Sequence, residues 1–152
     1  MTTPHFTSFM DEALALARAA AVLDEVPVGA VVVKNGEVIG RGHNRTRIDH
    51  DPTAHAEIVA MRDAAKTLGN ERLIDCDLWV TLEPCTMCAG AISHARIRRL
   101  YYGASDPKGG GVEHGPRFFH CDTCHHTPEI FSGIGEQASA KLLTEFFRQQ
   151  RS

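Results

Sequence analysis

The sequence predicts an α/β sandwich, and three observations carry that reading. Strand-like apolar runs alternate with helix-length segments along the chain, the pattern of helices layered on a sheet. An Asn-Gly pair stands between two strand-like runs, the strongest short hairpin signal. The 152 residues, 43% hydrophobic and 23% charged, suit one soluble domain, with no internal repeat, low-complexity stretch or Pro/Ser-rich linker to divide them.

A helix is predicted from about Ser8 to Leu23, with Phe9, Ala13, Leu16, Ala17 and Ala20 on one face and Ser8 and Asp11 spaced as an N-terminal cap. Val28 to Lys34 and Glu37 to Asn44 follow as strands around Asn35-Gly36, whose residues tolerate the positive φ of a tight turn. Gly40 and Gly42 leave the second strand bare where another backbone or a ligand can approach. Thr53 to Leu68 is a second helix, ended by Gly69-Asn70. Leu78 to Leu82 is a third strand, and Pro84 suits the first turn of a helix reaching about Ala95. Ile97 to Tyr102 is a fourth strand. Ser105 to Pro128 is glycine-rich and irregular with a short helical piece; Glu129 to Ile134 is a fifth strand and Glu136 to Gln149 a closing helix.

Composition narrows the function classes. No uncharged apolar run approaches the ~20 residues of a membrane span, and Met1 to Met10 lacks the basic segment and apolar core of a secretory signal. The expected compartment is therefore cytoplasmic, where five cysteines are metal ligands or core residues rather than disulfides. A net charge of −3 argues against a globally basic nucleic-acid binder. The charge is uneven, however: residues 1–95 hold 8 Lys/Arg against 13 Asp/Glu, and residues 96–152 hold 8 against 6. Arg96, Arg98, Arg99, Lys108, Arg117, Arg148 and Arg151 are candidates for a basic face; scattered solubilising charge is the alternative.

The chemistry concentrates in His55-Ala56-Glu57 and in Pro84-Cys85-Thr86-Met87-Cys88. One imidazole and two thiolates are suited to zinc but are one short of a closed tetrahedron. Structural zinc normally takes four protein ligands, whereas catalytic zinc keeps one position for water. Glu57, two residues beyond His55, then reads as a proton carrier beside the open position. Two cysteines three residues apart project from one side of a helix. The positive end of the helix favours thiolates, the form that binds metal.

His-x-Glu followed by Pro-Cys-x-x-Cys resembles the zinc-dependent nucleobase deaminases. Within them the chain looks like a bacterial tRNA-specific adenosine deaminase. The finer likeness lies in Val26-Pro27-Val28-Gly29-Ala30, Asn44, Asp51-Pro52-Thr53-Ala54, Val80-Thr81-Leu82-Glu83, Ala89-Gly90-Ala91, Gly103-Ala104-x-Asp106 with Lys108, and Phe146-Phe147-Arg148. The resemblance implies a cytidine-deaminase-like three-layer α/β/α sandwich with a mixed five-stranded sheet, one deaminase domain over residues 1–152. It implies one zinc per chain on His55, Cys85 and Cys88, with Glu57 catalytic. The implied reaction is hydrolytic: water adds to C6 of the wobble adenosine in a tRNA anticodon stem-loop, Glu57 moves the protons, ammonia leaves and inosine remains. By matching position, Asn44 would bond the base, Val28 would pack on it and the Ala56 amide would line the pocket. Asp106, Lys108 and Phe146 would meet flanking nucleotides. Relatives are homodimers, so a homodimer is expected.

Other readings stay open at this level. Val28 also reads as core, Asn44 as a strand-end turn and Lys108 as solvated charge. A deaminase of a free base such as guanine or cytosine is the rival enzyme, and a zinc-stabilised RNA-binding module without chemistry is the rival of another class. Cys121 and Cys124 can complete a structural zinc site with Cys85 and Cys88, or hold a second metal with His120, His125 and His126. The preferred expectation is a single metal, with the Gly109 to Pro128 loop and its double histidine on the substrate side. Cys76 reads as a small buried residue.

Overall fold

The computed structural model describes residues 8–151. Its elements run α1 (Met10–Val22), β1 (Gly29–Lys34), β2 (Glu37–His43), α2 (Ala56–Leu68), β3 (Cys76–Leu82), α3 (Thr86–Ala95), β4 (Arg99–Ala104), β5 (Glu129–Phe131) and α4 (Glu136–Arg151), with a 3-10 turn at Phe118–His120 before β5. Most of the segment read for a secretory signal, and the Arg151 side chain, lie outside the described residues.

The strands form one mixed sheet in the order β2-β1-β3-β4-β5. β1 pairs antiparallel with β2 and β3, whereas β3–β4 and β4–β5 are parallel. Strand side chains alternate between the two faces, and here both faces are covered. Ala30, Val32, Leu78, Val80, Leu100 and Tyr102 join the core under α2 and α3. Val31, Val33, Trp79 and Tyr101 join the core under α1, with Ala138 and Leu142 of α4 packed against it. The result is the expected α/β/α sandwich around a five-stranded sheet.

The hairpin turn forms as predicted, with Asn35 at φ 51° and Gly36 at φ 77°, the two left-handed residues of a type I′ turn. The bare glycines of β2 admit the backbone of α2: a Cβ on Gly42 would stand 2.6 Å from the Ala56 carbonyl oxygen. This close approach seats α2, and the residue just before it, against β2 at one edge of the sheet.

Several boundaries differ from the sequence reading. α1 buries Met10 and Leu14 with Ala13, Ala17 and Ala20, leaving Phe9 and Leu16 half-buried. Ser8 Oγ accepts from the Met10 amide at 3.2 Å, but the N-cap is Phe9. α2 starts at Ala56 because Asp51 Oδ1 holds both the Thr53 amide and hydroxyl, at 2.8 and 2.7 Å, in a local turn. Pro84 precedes the Cys85 N-cap rather than sitting in the first turn of α3, and its carbonyl accepts from the Gly111 amide at 2.8 Å. β4 lies two residues later than expected, because Arg96 adopts a left-handed conformation (φ 64°) to end α3 and Ile97 serves as buried connector. β5 keeps only three residues before Gly133, at φ 79°, turns the chain.

Candidate active site

His55 and Cys85 are the N-caps of α2 and α3, and Cys88 lies one turn into α3. His55 Nδ1 stands 3.6 Å from Cys85 Sγ and 3.5 Å from Cys88 Sγ. Among the described residues these three form the one group of His, Cys, Asp or Glu side chains whose donor atoms converge as metal ligands do. The donor set fits zinc. Bonds of about 2.3 Å to sulfur and 2.0–2.1 Å to nitrogen in a tetrahedron separate S from N by about 3.6 Å.

The two thiols are unequal. Hydrogen bonding with Cys88, supported by His55, pulls the Cys85 thiol down to about 4, while the same bond and burial push Cys88 up. Hydrogen bonding to Cys85 raises the His55 pKa against the opposing effect of burial. Glu57 lies in the first turn of α2 and is almost wholly buried. Burial pushes its carboxyl above the ordinary range, the direction useful to a group that holds and releases a proton near neutrality.

His55, Glu57 and Cys85 line a cavity of about 350 Å³ shared with Val26, Val28, Asn44, Ala56, Leu82, Glu83 and Asp106. That size and mostly apolar lining suit a small planar ligand. Val28, just before β1, and Asn44, just after β2, are joined by the Asn44 amide to Val28 carbonyl bond of 3.1 Å. Asp106 Oδ1 accepts from the Lys108 and Gly109 amides at 3.2 and 2.9 Å, shaping the opposite wall. An outer depression shares Val26, Leu82, Asp106 and Gly109 with the cavity and continues over Lys108, Leu143 and Phe147.

The structure places two groups expected at the rim away from the cavity. Phe146 is buried at 6% exposure and lines neither hollow, whereas Phe147 is 45% exposed and does. Neighbouring helix residues differ by about 100°, and Phe146 shares the inward face of α4 with buried Ser139. Helical spacing puts the two residues on different faces but does not say which face turns inward. The double histidine also lies away from the cavity. His126 donates from Nε2 to the Ile97 carbonyl at 2.7 Å and from its amide to Ser93 Oγ at 3.1 Å. Cys124 Sγ lies 3.6 Å from Ser93 Oγ, and Cys121 is exposed. This segment braces the far end of α3, because its polar groups find partners there.

Most of the candidate basic-face arginines have acidic or carbonyl partners, as scattered charge would. Arg98 forms a two-pronged pair with Asp77 at 3.0 and 3.1 Å, Arg99 lies 4.0 Å from Glu129, and Arg96 and Arg117 donate to the Ser93 and Glu113 carbonyls. Of the candidate cations, Lys108 lines the outer depression with Phe147, and Arg148 lines a separate hollow with Leu143, Thr144 and Phe147. Cys76 is fully buried, as expected of a core residue. Glu83 and Phe147 stand in the motifs of the family likeness without a role given to either, and sequence reading passed over Leu143 and the buried carboxylate Glu25. Glu25 accepts from the Arg47 amide at 2.9 Å and so holds the segment after Asn44.

The comparisons with known proteins agree with this geometry. A family model described as MafB19-like deaminase matches residues 4–151. The tRNA-specific adenosine deaminase of Agrobacterium fabrum is 61% identical over 145 residues, 95% of each chain. A structure solved in a study of A-to-I editing by tRNA:A34 deaminases at the wobble position of transfer RNA superposes with a TM-score of 0.88 at 62% identity, covering 89% of this chain and 98% of that one. The guanine deaminase of Bacillus subtilis matches at 44% identity and a TM-score of 0.62, over 64% of this chain and 62% of its own. Joined to a catalytic-type ligand triad at two helix starts, these likenesses mean that the chain belongs to the deaminase family, among the tRNA-specific adenosine deaminases.

Proposed function

We propose that this protein is a zinc-dependent hydrolase of the C–N bond of a cyclic amidine, converting the wobble adenosine of a tRNA to inosine and ammonia. The observation that carries the reading is the three-ligand cluster of His55, Cys85 and Cys88 opening onto a cavity that Glu57 also lines. The likeness to tRNA-specific adenosine deaminases over nearly the full chain supports it. Residues 1–152 then act as one deaminase domain holding one zinc.

Zinc in that site supplies a Lewis-acidic position that makes water acidic enough to act at neutral pH. Glu57 takes the proton from the water that adds to C6, delivers it to N1 of the ring, and carries a further proton to the departing amine. Val28 packs on the base, Asn44 hydrogen-bonds it and the Ala56 amide closes the pocket. Asp106 and Lys108 meet the flanking nucleotides together with the outer aromatic of the Phe146–Phe147 pair, which is Phe147. An anticodon base is already partly unstacked, so extracting it costs less than opening a duplex.

Among the described residues no helix is long and apolar enough to cross a membrane, which accords with a cytoplasmic enzyme acting on tRNA. A homodimer is the state that the family resemblance implies. Light scattering on the purified chain checks the mass. The function is tested by turnover of an anticodon stem-loop against free adenosine, guanine and cytosine. Faster turnover of free guanine would favour the guanine deaminase reading instead.

A further inference from the structure

Glu83 is a buried carboxylate with no part in the proton transfers. Five donors converge on it. Oε1 accepts from the Asp106 amide at 3.0 Å and from His114 Nδ1 at 2.7 Å. Oε2 accepts from three successive amides, those of Val112, Glu113 and His114, at 3.2, 3.0 and 3.1 Å. Successive main-chain N–H groups turned toward one point form an anion-binding nest, and here the chain supplies its own anion. Gly110 makes room for it: a Cβ there would run into the Glu83 carboxylate and stand 2.6 Å from the Asp106 carbonyl oxygen.

The segment held this way is a wall of the cavity. Asp106 and Gly109 line both the inner cavity and the outer depression, and Lys108 lines the outer one. Among the described residues the segment has no strand pairing, and its one 3-10 turn comes later, at Phe118–His120. Its shape therefore rests on main-chain bonds from the Gly110 amide to the Asp106 carbonyl and from the Gly111 amide to the Pro84 carbonyl, both 2.8 Å, and on side-chain anchors. The five bonds to Glu83 outnumber the two that Asp106 makes to its own neighbours.

We propose that Glu83 is a positioning residue for substrate: its carboxylate fixes residues 106–114 as the surface that receives the nucleotides beside the reacting base. This rests on the tRNA deaminase reading above. A carboxylate is an acceptor at both oxygens, whereas a glutamine amide keeps one acceptor and turns a donor toward two or three N–H groups. Glu83→Gln thus preserves shape and volume while disrupting the anchor. His114→Ala removes one of the five donors, and His114 is exposed enough to be replaced without opening the core.

The test compares zinc content, backbone amide exchange, and kcat and KM on an anticodon stem-loop for the parent, Glu83→Gln and His114→Ala. Glu83→Gln is expected to keep one zinc per chain. Exchange at Asp106 and Val112 to His114 should rise on the order of tenfold, with the sheet amides unchanged, because bonds to a charged acceptor are lost. KM should rise by a similar factor while kcat stays within about threefold. His114→Ala should show the same pattern, weaker. A parental KM in Glu83→Gln overturns the proposal even if exchange is faster. So does zinc loss, a fall in kcat matching the rise in KM, or faster exchange throughout the sheet, since each marks general support of the fold. If Glu83→Gln does not fold, His114→Ala decides: unchanged exchange and KM overturn the proposal. A parent inactive on the stem-loop refutes the tRNA reading and with it the substrate role, and the exchange data still decide whether Glu83 anchors the wall.

Discussion

The floor of the cavity and its rim are made from different kinds of backbone. At the floor, His55 and Cys85 cap two helices that pack on the sheet, and Glu57 and Cys88 follow within the first turn of each. The backbone there is held by helical hydrogen bonds and by buried apolar neighbours such as Ala56, Ala60, Ala89 and Ile92. The rim consists of the irregular 105–114 segment, the segment after Asn44, and the outer face of α4. Its loops are held by buried carboxylates, Glu83 on one side and Glu25 on the other. Groups that must be placed to within a fraction of an ångström sit on rigid elements, whereas groups that recognise substrate sit on loops whose shape is set by a few polar anchors.

The comparison makes distinct demands on variants of the two ends. Cys88→Ala, at the floor, should give the largest effect: zinc falls from one equivalent per chain toward zero, activity falls to background and thermal stability drops with the metal, because metal binding contributes to folding free energy. Elemental analysis and calorimetry read this, and an unchanged zinc content would remove Cys88 from the ligand set. Glu57→Ala should retain the metal and the fold yet lose about 10²–10⁴-fold in kcat. Activity within a few-fold of the parent would mean that another group moves the proton.

At the rim, the two adjacent phenylalanines should separate cleanly. Phe146→Ala empties a buried position and should destabilise the chain by about 3–5 kcal/mol. Phe147→Ala should leave the melting temperature almost unchanged while weakening stem-loop binding by about 1–3 kcal/mol, the usual worth of one base stacked on an aromatic ring. The opposite assignment of stability and binding losses would return the substrate contact to Phe146. Lys108→Ala should act least, lowering stem-loop affinity and reducing the salt dependence of log K by about one unit of slope. A slope equal to the parent's would place Lys108 away from phosphate.

Local patterns were enough to identify what depends on neighbours in sequence. Asn35-Gly36 specified its turn because positive φ at two successive residues is a local requirement. The metal group was legible because a cap residue and a residue one turn later are brought to the same side by helix geometry alone, and because the ligand types are chemically distinctive. The mixed five-stranded sheet followed from the family resemblance, whereas the strand order came from the structure alone. Tertiary structure alone decided the rest. Phe146 and Phe147 have the same composition and differ only in which side of α4 meets the sheet. Arg98 and Arg99 look available until Asp77 and Glu129 are brought beside them. Cys124 and His126 have ligand chemistry, but Ser93 and the Ile97 carbonyl occupy their polar groups. Glu83 gathers amides up to 31 residues away. No local pattern records such a bond, because its partners meet only after the sheet and helices have folded the intervening chain back on itself.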